Sequence, residues 1–517
     1  YEISACLVGS GDVYKRQHID LVSISVIIKI NLGISHIREK KKHDKYKRII
    51  IFAEIWKEQS CMGIGILTLF LFGLLAMATE IFHHINKAAV AIFIGVVCWV
   101  LYICYGADFV LSQHEAEFFT FLHGASLNSS LVKDFIAEQV FFKYFLDAAS
   151  VILFLLATLS ITEVLDNNGC FDFLHVWLRT RSPRRFLWTV VGLTFVLSAN
   201  LDNLTVTCLM LAVMHSIVAD ERSRLRFGSV IVVAANCGGA FTAIGDVSSL
   251  TLWNHGLITP THYSMMMVLP CMVAVGVTTL LVQQSLPAHV RLVRSIPPYR
   301  GDDSTLNLWQ RALMLFVGIG GLWFIPTYHR ITHLPSFSGA LCVLGILWIV
   351  NELCNRKLLS SGLMAGKRSP IALQYQTLQN ILLFVGLTLS IGAVCESGLL
   401  PRIAAWVTQH SNNYYLVGIV AGAASIVFNN VAMLLLNVGF FASNTAAPFQ
   451  PDGNFWPWLS YTTAMGGTFL FIGTTAGYAL RRMENVSITW YVRHIFVKVL
   501  MGAAAGGAVF VITTHIF

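Results

Sequence analysis

Long apolar runs dominate this chain, and the few polar positions that interrupt them set the reading of its fold. Runs of about 18 residues with almost no charge recur, the length at which a helix crosses a bilayer. The spans predicted from these runs are Met62–Thr79, Ala88–Tyr105, Tyr144–Glu163, Met265–Val282, Ala312–Ile325, Phe337–Val350, Asn380–Cys395 and Phe496–Phe517. Four more apolar stretches carry polar or glycine breaks: Phe186–Met214, Ser229–Val247, Tyr415–Phe441 and Leu459–Leu480. A loop holding Asp108, Glu115 and Glu117 is expected to run to about Phe142. Lipid offers the backbone no hydrogen-bond partner, so the predicted class is an all-α polytopic membrane protein of about 10–12 transmembrane helices.

The breaks carry the information. Phe186–Met214 is too long for one straight span and reads SANLDNLT at its midpoint, Ser198–Thr205. Split at Asn200–Asn203, it gives two arms of about 11–13 residues, each roughly 17–20 Å at 1.5 Å per residue. That length suits a re-entrant hairpin with a polar tip, tolerated only where protein or a water-filled cavity surrounds it. Asp202 lies at the tip, and Asp246 sits one segment later in AANCGGAFTAIGDVSS, Ala234–Ser249. Ionised carboxylates in apolar surroundings are costly unless something polar or cationic meets them. Helix–helix hydrogen bonding is the bland alternative for one polar residue. Asn200, Asn203, Thr205, Asn236 and Ser248 alongside two aspartates point instead to an ion pathway.

The pair of motifs recurs. FNNVAMLLL (Phe428–Leu436) followed by AMGGTFLFIGTTAG (Ala464–Gly477) parallels LDNLTVTCL followed by NCGGAFTAIGDVSS. Asn203 matches Asn430 at an offset of 227 residues; Gly238, Gly239 and Gly245 match Gly466, Gly467 and Gly473 at 228. Five predicted spans separate the hairpins, an odd number, so the two units enter from opposite faces as an inverted repeat. Its halves cover about 144–283 and 376–517, with two re-entrant hairpins and two broken helices. The chemistry of the halves differs, because Asn429 stands in the position of Asp202 and Thr474 in that of Asp246. An anionic pair confined to one half should attract a cation, and oxygen ligands from Asp, Asn, Ser and Thr suit a hard ion such as Na⁺.

Composition agrees with this class and removes others. Of 517 residues, 56% are hydrophobic and only 12% charged, against about 25% charged in soluble domains. The net charge of +8 resides in loops and informs topology; it does not argue for a nucleic-acid partner. With both hairpins re-entrant, the basic stretches Arg179–Arg185, Arg222–Arg226, Arg291–Arg300, Arg356–Arg368 and Arg481–Arg493 share one side. The eleven cysteines form no metal-spaced cluster, and neither a P-loop nor a nucleophile elbow is present, which argues against ATP-driven transport and against an enzyme. Tyr1–Gln17 reads as a non-native leader, residues 18–61 have no decided structure, and 62–517 read as one membrane transport domain.

At these motifs the sequence resembles the NhaD-type Na⁺/H⁺ antiporters within the broader ion transporter superfamily. SANLDNLTVTCLM, VVAANCGGAFTAIGDVSSLTLW and ITEVLDNNGCFDFL carry the likeness; FNNVAML, GGTFLFIGTTAG and HHINKAAVAIFIGVVCW add to it. The resemblance implies cation/proton exchange across a bacterial inner membrane, with Na⁺ or Li⁺ as cargo, no cofactor, and a homodimer by analogy. Matching polar positions are Asp202, Asn203, Thr205, Asn236 and Asp246; Glu163 and Asp166 also match and read equally as ion-entry residues or as interfacial charges beside Arg179–Arg185, and Glu396, the third candidate for the ion pathway, reads first as structural. The second hairpin departs from the family, reading Asn429-Asn430-Val431-Ala432 where an Asp and a Pro are usual. Phe241-Thr242-Ala243 likewise replaces a usual Trp-Ser-Pro.

The expected mechanism is competition of Na⁺ and H⁺ for Asp202 and Asp246, titrating as one coupled pair. A sodium-coupled symporter of an anion such as a dicarboxylate is the alternative on the same scaffold. His83 and His84 invite a pH-sensor reading, with solvated loop residues as the simpler one. Trp456 and Trp458 are expected as interfacial anchors.

Overall fold

The computed structural model describes residues 62–80, 85–122, 128–178, 182–286, 290, 306–355, 371–410 and 413–515. The leader, residues 18–61 and the histidine pair at 83–84 lie outside these. Among the described residues the regular structure is all helical. In chain order it comprises α1 (Met62–Ala78), α2 (Lys87–Cys104), α3 (Gly106–Gln113), α4 (Glu115–Phe121), α5 (Ser129–Phe135) and α6 (Phe142–Asn167). Then follow α7 (Pro183–Ser198), α8 (Asn203–Ile217), α9 (Glu221–Ala240), α10 (Val247–Asn254), α11 (Pro260–Gln284), α12 (Leu308–Thr332) and α13 (Ser336–Cys354). The last are α14 (Ile371–Glu396), α15 (Leu399–His410), α16 (Tyr414–Ser425), α17 (Asn430–Phe441), α18 (Phe455–Phe469), α19 (Thr475–Glu484) and α20 (Ile488–Thr513).

Seven helical stretches among the described residues are long and apolar enough to cross a membrane, and α1, α8, α16 and α17 are shorter apolar helices. This is an integral membrane protein. The two interrupted stretches fold as helix–tip–helix units, α7–α8 and α16–α17, and the two glycine-rich stretches as broken helices, α9–α10 and α18–α19. The arms of the first unit have 16 and 15 residues, longer than the 11–13 expected, because helix extends through Pro183 at N1 and beyond Met214 to Ile217.

Two expectations change. The stretch read as a loop after Asp108 is largely helical, as α3, α4 and α5. Its acids occupy first turns, where the helix dipole favours them, while Phe109, Val110 and Phe118 are buried. Trp456 and Trp458 are enclosed by protein and do not anchor at an interface. Their indole N–H groups donate to Phe449 O and to Tyr415 O respectively, which removes the need for an interfacial partner.

The repeat is visible in contacts. Ser198 Oγ donates to Ala235 O at 2.7 Å, and Ser425 Oγ to Thr463 O at 2.8 Å. Tyr263 Oη donates to Ala240 O at the end of α9, and Tyr491 Oη to Thr468 O at the end of α18, 2.5 and 2.9 Å. A Cβ on Gly238 would strike Phe195 O, and one on Gly466 would strike Gly422 O. All these pairs are related by 227 or 228 positions. Cys237 and Met465, themselves 228 apart, touch at 3.2 Å, as residues on a pseudo-two-fold axis must. The halves interlock, with α8 packed on α19 and α17 on α10, while α2 runs along α14 and α13 along α6.

Glycine is required where the first arm of each tip unit crosses its broken helix. Replacing Gly466 by Ala places a methyl against the Gly422 backbone, which has no flexible end to yield. The expected loss is at least about 1–3 kcal/mol, read as a lowered thermal midpoint of purified protein in detergent. Gly345→Ala, where a Cβ meets nothing within 4 Å, should leave the midpoint unchanged.

Candidate functional site

Each broken element ends in open N–H groups that need an acceptor away from water. Asp202 is the N-cap of α8: its Oδ2 accepts from Leu204 N and Thr205 N at 3.1 and 3.3 Å. Among the described residues no hydrogen-bond donor pairs with its Oδ1. Asn429 does the same for α17, accepting from Val431 N at 2.8 Å, and Thr474 for α19, accepting from Gly477 N at 3.1 Å. Asp246 stands at the N-cap of α10 and is buried.

Asn203 ties these ends together. Its Nδ2 donates to Asp246 Oδ1 at 3.0 Å and to Asn236 Oδ1 at 3.2 Å. Asn236 Nδ2 in turn donates to Thr474 Oγ1 at 3.2 Å, which carries the network from the first half into the second. Thr475 Oγ1 closes it with a long contact of 3.4 Å to Asn203 Oδ1. The Ser248 hydroxyl is enclosed next to the Asp246 carboxylate, an oxygen at the edge of the pair.

A pocket opens where the ends meet. Asp202, Asn203, Asp246, Asn429 and Asn430 line it, with Thr475, Asn380 and apolar side chains of α6 and α14. So both carboxylates and both tip asparagines converge, as the motif pairing implies. Asn200 turns back to Val196 O of its own helix. Thr205 contributes its backbone N–H, while Asn236 and Thr474 stand behind the lining. Gly239 and Gly245 permit close approach: Gly245 O lies 3.0 Å from the position of a Cβ on Gly239, and Ser198 O lies 2.7 Å from one on Gly245. Gly467 and Gly473 occupy the corresponding crossing. Among the described residues no group of three or more His, Cys, Asp or Glu gathers to hold a metal ion.

Glu163 and Asp166 are outside the lining. Glu163 lies one turn beyond Leu159 on the stripe of α6 whose Leu155 and Leu159 face the pocket. Glu396 belongs to a separate cluster. Its Oε1 accepts from Tyr144 Oη at 2.8 Å, and its Oε2 lies 2.7 Å from His114 Nε2. Asn380 and Thr475 are not among the sequence-derived site residues; Asn380 opens its predicted span, and only the helix's earlier start at Ile371 places it inside.

His114 faces a carboxylate on each ring nitrogen, Glu396 on Nε2 and Glu117 on Nδ1. Only the doubly protonated ring donates to both, and the Glu396 hydrogen bond leads in raising its pKa above the usual 6.5, against partial burial. A raised folded value means that this stabilisation is complete below the unfolded pKa and is lost as pH rises through the folded one. The thermal midpoint in detergent should therefore fall as pH climbs above about 6.5, and His114→Gln should flatten that part of the curve.

Residues 50–352 match the family model described as "Citrate transporter". Among curated relatives, Sodium/proton antiporter 1 of Arabidopsis thaliana is 32% identical over 365 residues, 70% of this chain and 62% of the relative. Sodium/proton antiporter 2 of the same plant is 30% identical over 361 residues, 70% of this chain and 84% of the relative. The Na(+)/H(+) antiporter NhaD of Vibrio parahaemolyticus is 24% identical over 377 residues, 67% of this chain and 85% of the relative. The chain thus spans less than two thirds of the first of these. The family match includes Asp202 and Asp246 and stops short of Asn429.

Proposed function

The chain belongs to the citrate-transporter family of membrane proteins, an NhaD-type member by its relatives, and from that premise we propose that it exchanges Na⁺ or Li⁺ for H⁺. The observation that carries the proposal is the convergence of Asp202 and Asp246 on one pocket between the two halves. Cation and proton compete there for the same carboxylate oxygens. Asp202 Oδ1, the Ser248 hydroxyl and the Asn203 carbonyl oxygen supply a hard-oxygen set around the pair. Asn203 holds Asp246 in place through its amide. When the cation binds, the carboxylates must be ionised, so protons leave; when it departs, protons return.

Access alternates when the interlocked halves rock about the axis through Cys237 and Met465, as in other inverted repeats. Glu163 and Asp166, at the end of the stripe below Leu159, are the proposed approach for the ion. Relatives from both plants and bacteria bear the antiporter name, and a bacterial inner membrane is one energised membrane that meets the requirement. A homodimer is proposed by analogy with related scaffolds.

The family description raises anion symport as a second reading, and the neutral tip residue Asn429 and break residue Thr474 favour it. Asp202 and Asp246 line the same pocket as Asn429, so an anion bound there would face both carboxylates. Exchange is the better account.

Everted vesicles with an acid interior test it. Adding NaCl or LiCl should alkalinise the lumen, KCl should not, and Asp202→Asn or Asp246→Asn should abolish the response with the protein still in the membrane. Sodium-dependent uptake of citrate without any cation-induced alkalinisation between about pH 6.5 and 9.5 would replace exchange by symport.

A further inference from the structure

A second cavity lies beside the neutral tip, between the second half and the helices α1 and α2. Lys87, in the first turn of α2, lines it with Asn429 of the tip and Tyr478 of α19. The ammonium sits over the Tyr478 ring, 3.8 Å from its centroid, and the Tyr478 hydroxyl donates to Glu80 Oε2. Glu80 and Arg482 are the other charges it feels. Among the described residues no carboxylate lies within ion-pair distance of Lys87, so its ammonium is held by a ring face, with the opposite charge of Glu80 acting from beyond that ring. Asn429, Leu383 and Leu387 line both this cavity and the carboxylate pocket. The two spaces meet at the Asn429 tip.

The surroundings of the two tips therefore differ in charge. In the first half, tip and break carry Asp202 and Asp246. In the second, tip and break are Asn429 and Thr474, and a lysine faces the tip. Asn429 Oδ1 is committed to Val431 N, which leaves the tip little to offer a second free ion. A further Na⁺ there would meet a like charge and the positive end of α17.

We propose that Lys87 is a tethered cation that takes the place of a second transported ion at the Asn429 tip, so that mobile cations bind only at the Asp202–Asp246 pair. This rests on the exchange reading. Lys87 acts on that pair through its field and is a positioning charge, touching no cargo. A lysine that merely packs its stem and carries its head toward the interface would leave cation binding indifferent to its charge.

The test is equilibrium binding of ²²Na⁺ to the purified full chain in detergent, with monodisperse elution as the check on folding. Lys87→Met should tighten Na⁺ binding about tenfold, the effect of a unit charge on the order of 10 Å away at an effective dielectric near 20. Lys87→Arg should bind as the wild type does. Asn429→Asp alone should keep a Hill coefficient of about one, because the new carboxylate pairs with Lys87. Asn429→Asp combined with Lys87→Met should raise it clearly above one by opening a second site. Lys87→Gln replaces Lys87→Met if the latter fails to fold. Unchanged or weaker binding in the neutral variants, with a Hill coefficient of one in the double variant, overturns the proposal while leaving exchange intact. Absence of Na⁺ binding by the wild type, or wild-type binding by Asp202→Asn, overturns exchange itself and this inference with it.

Discussion

Ending a helix away from water leaves N–H and carbonyl groups that must find partners inside the protein, and this chain ends helices at two tips and two breaks. Each N-terminus is answered or faced by a short polar side chain: Asp202, Asp246, Asn429 and Thr474. The carbonyl ends of the two broken helices are answered by Tyr263 and Tyr491, while Ser198 and Ser425 pin the first arm of each tip unit to a carbonyl farther back in its broken helix. An unpaired backbone group in such surroundings costs several kcal/mol, so these residues are structural before they are anything else. Two of them are acids in only one half, and the site grows out of that difference.

The two copies of the repeat keep their scaffold contacts and differ in their chemistry. Backbone crossings at Gly238 and Gly466 are equivalent, and so are the serine and tyrosine bonds, because any shift there would move every element packed behind it. The capping atom tolerates change, since Asp, Asn and Thr all accept from an open N–H. A carboxylate can become an amide without disturbing the helix start, while the electric field in the pocket changes completely. Asn203 is the joint between these two kinds of constraint. It lies in the first turn of α8, hydrogen-bonds Asp246 and Asn236, and through Asn236 reaches Thr474. Rearranging one half without the other would have to break that chain.

Much of this was legible because it is local. The tips, the glycine breaks and the offset between motifs are short patterns, and each appears where the spacing puts it. The pocket follows from them once the halves are superposed. What was not legible depends on contacts across hundreds of residues. Tyr263 and Tyr491 obey the same offset, yet a tyrosine in an apolar helix gives no hint that its hydroxyl holds a broken helix 23 residues earlier. His114, Glu396 and Tyr144 come from three separate segments. The stretch after Asp108 misled because its acids look like loop residues until they are seen at helix starts. Trp456 and Trp458 misled for the converse reason: a tryptophan near a span end suits an interface unless a carbonyl is waiting inside.

The position of the site between the halves has an electrostatic consequence. A pocket built wholly within one half would keep its charge whichever way the molecule faced. Here the carboxylates come from α8 and α10, while Asn429, Asn430 and Thr475 come from the other half, with Lys87 just past the tip. Any motion of α8 and α10 relative to α2 would change the distance between the acids and that lysine. Coupling between occupancy and conformation then requires no dedicated trigger. It needs only that the acids and the lysine sit on different elements, which their places on α8, α10 and α2 supply.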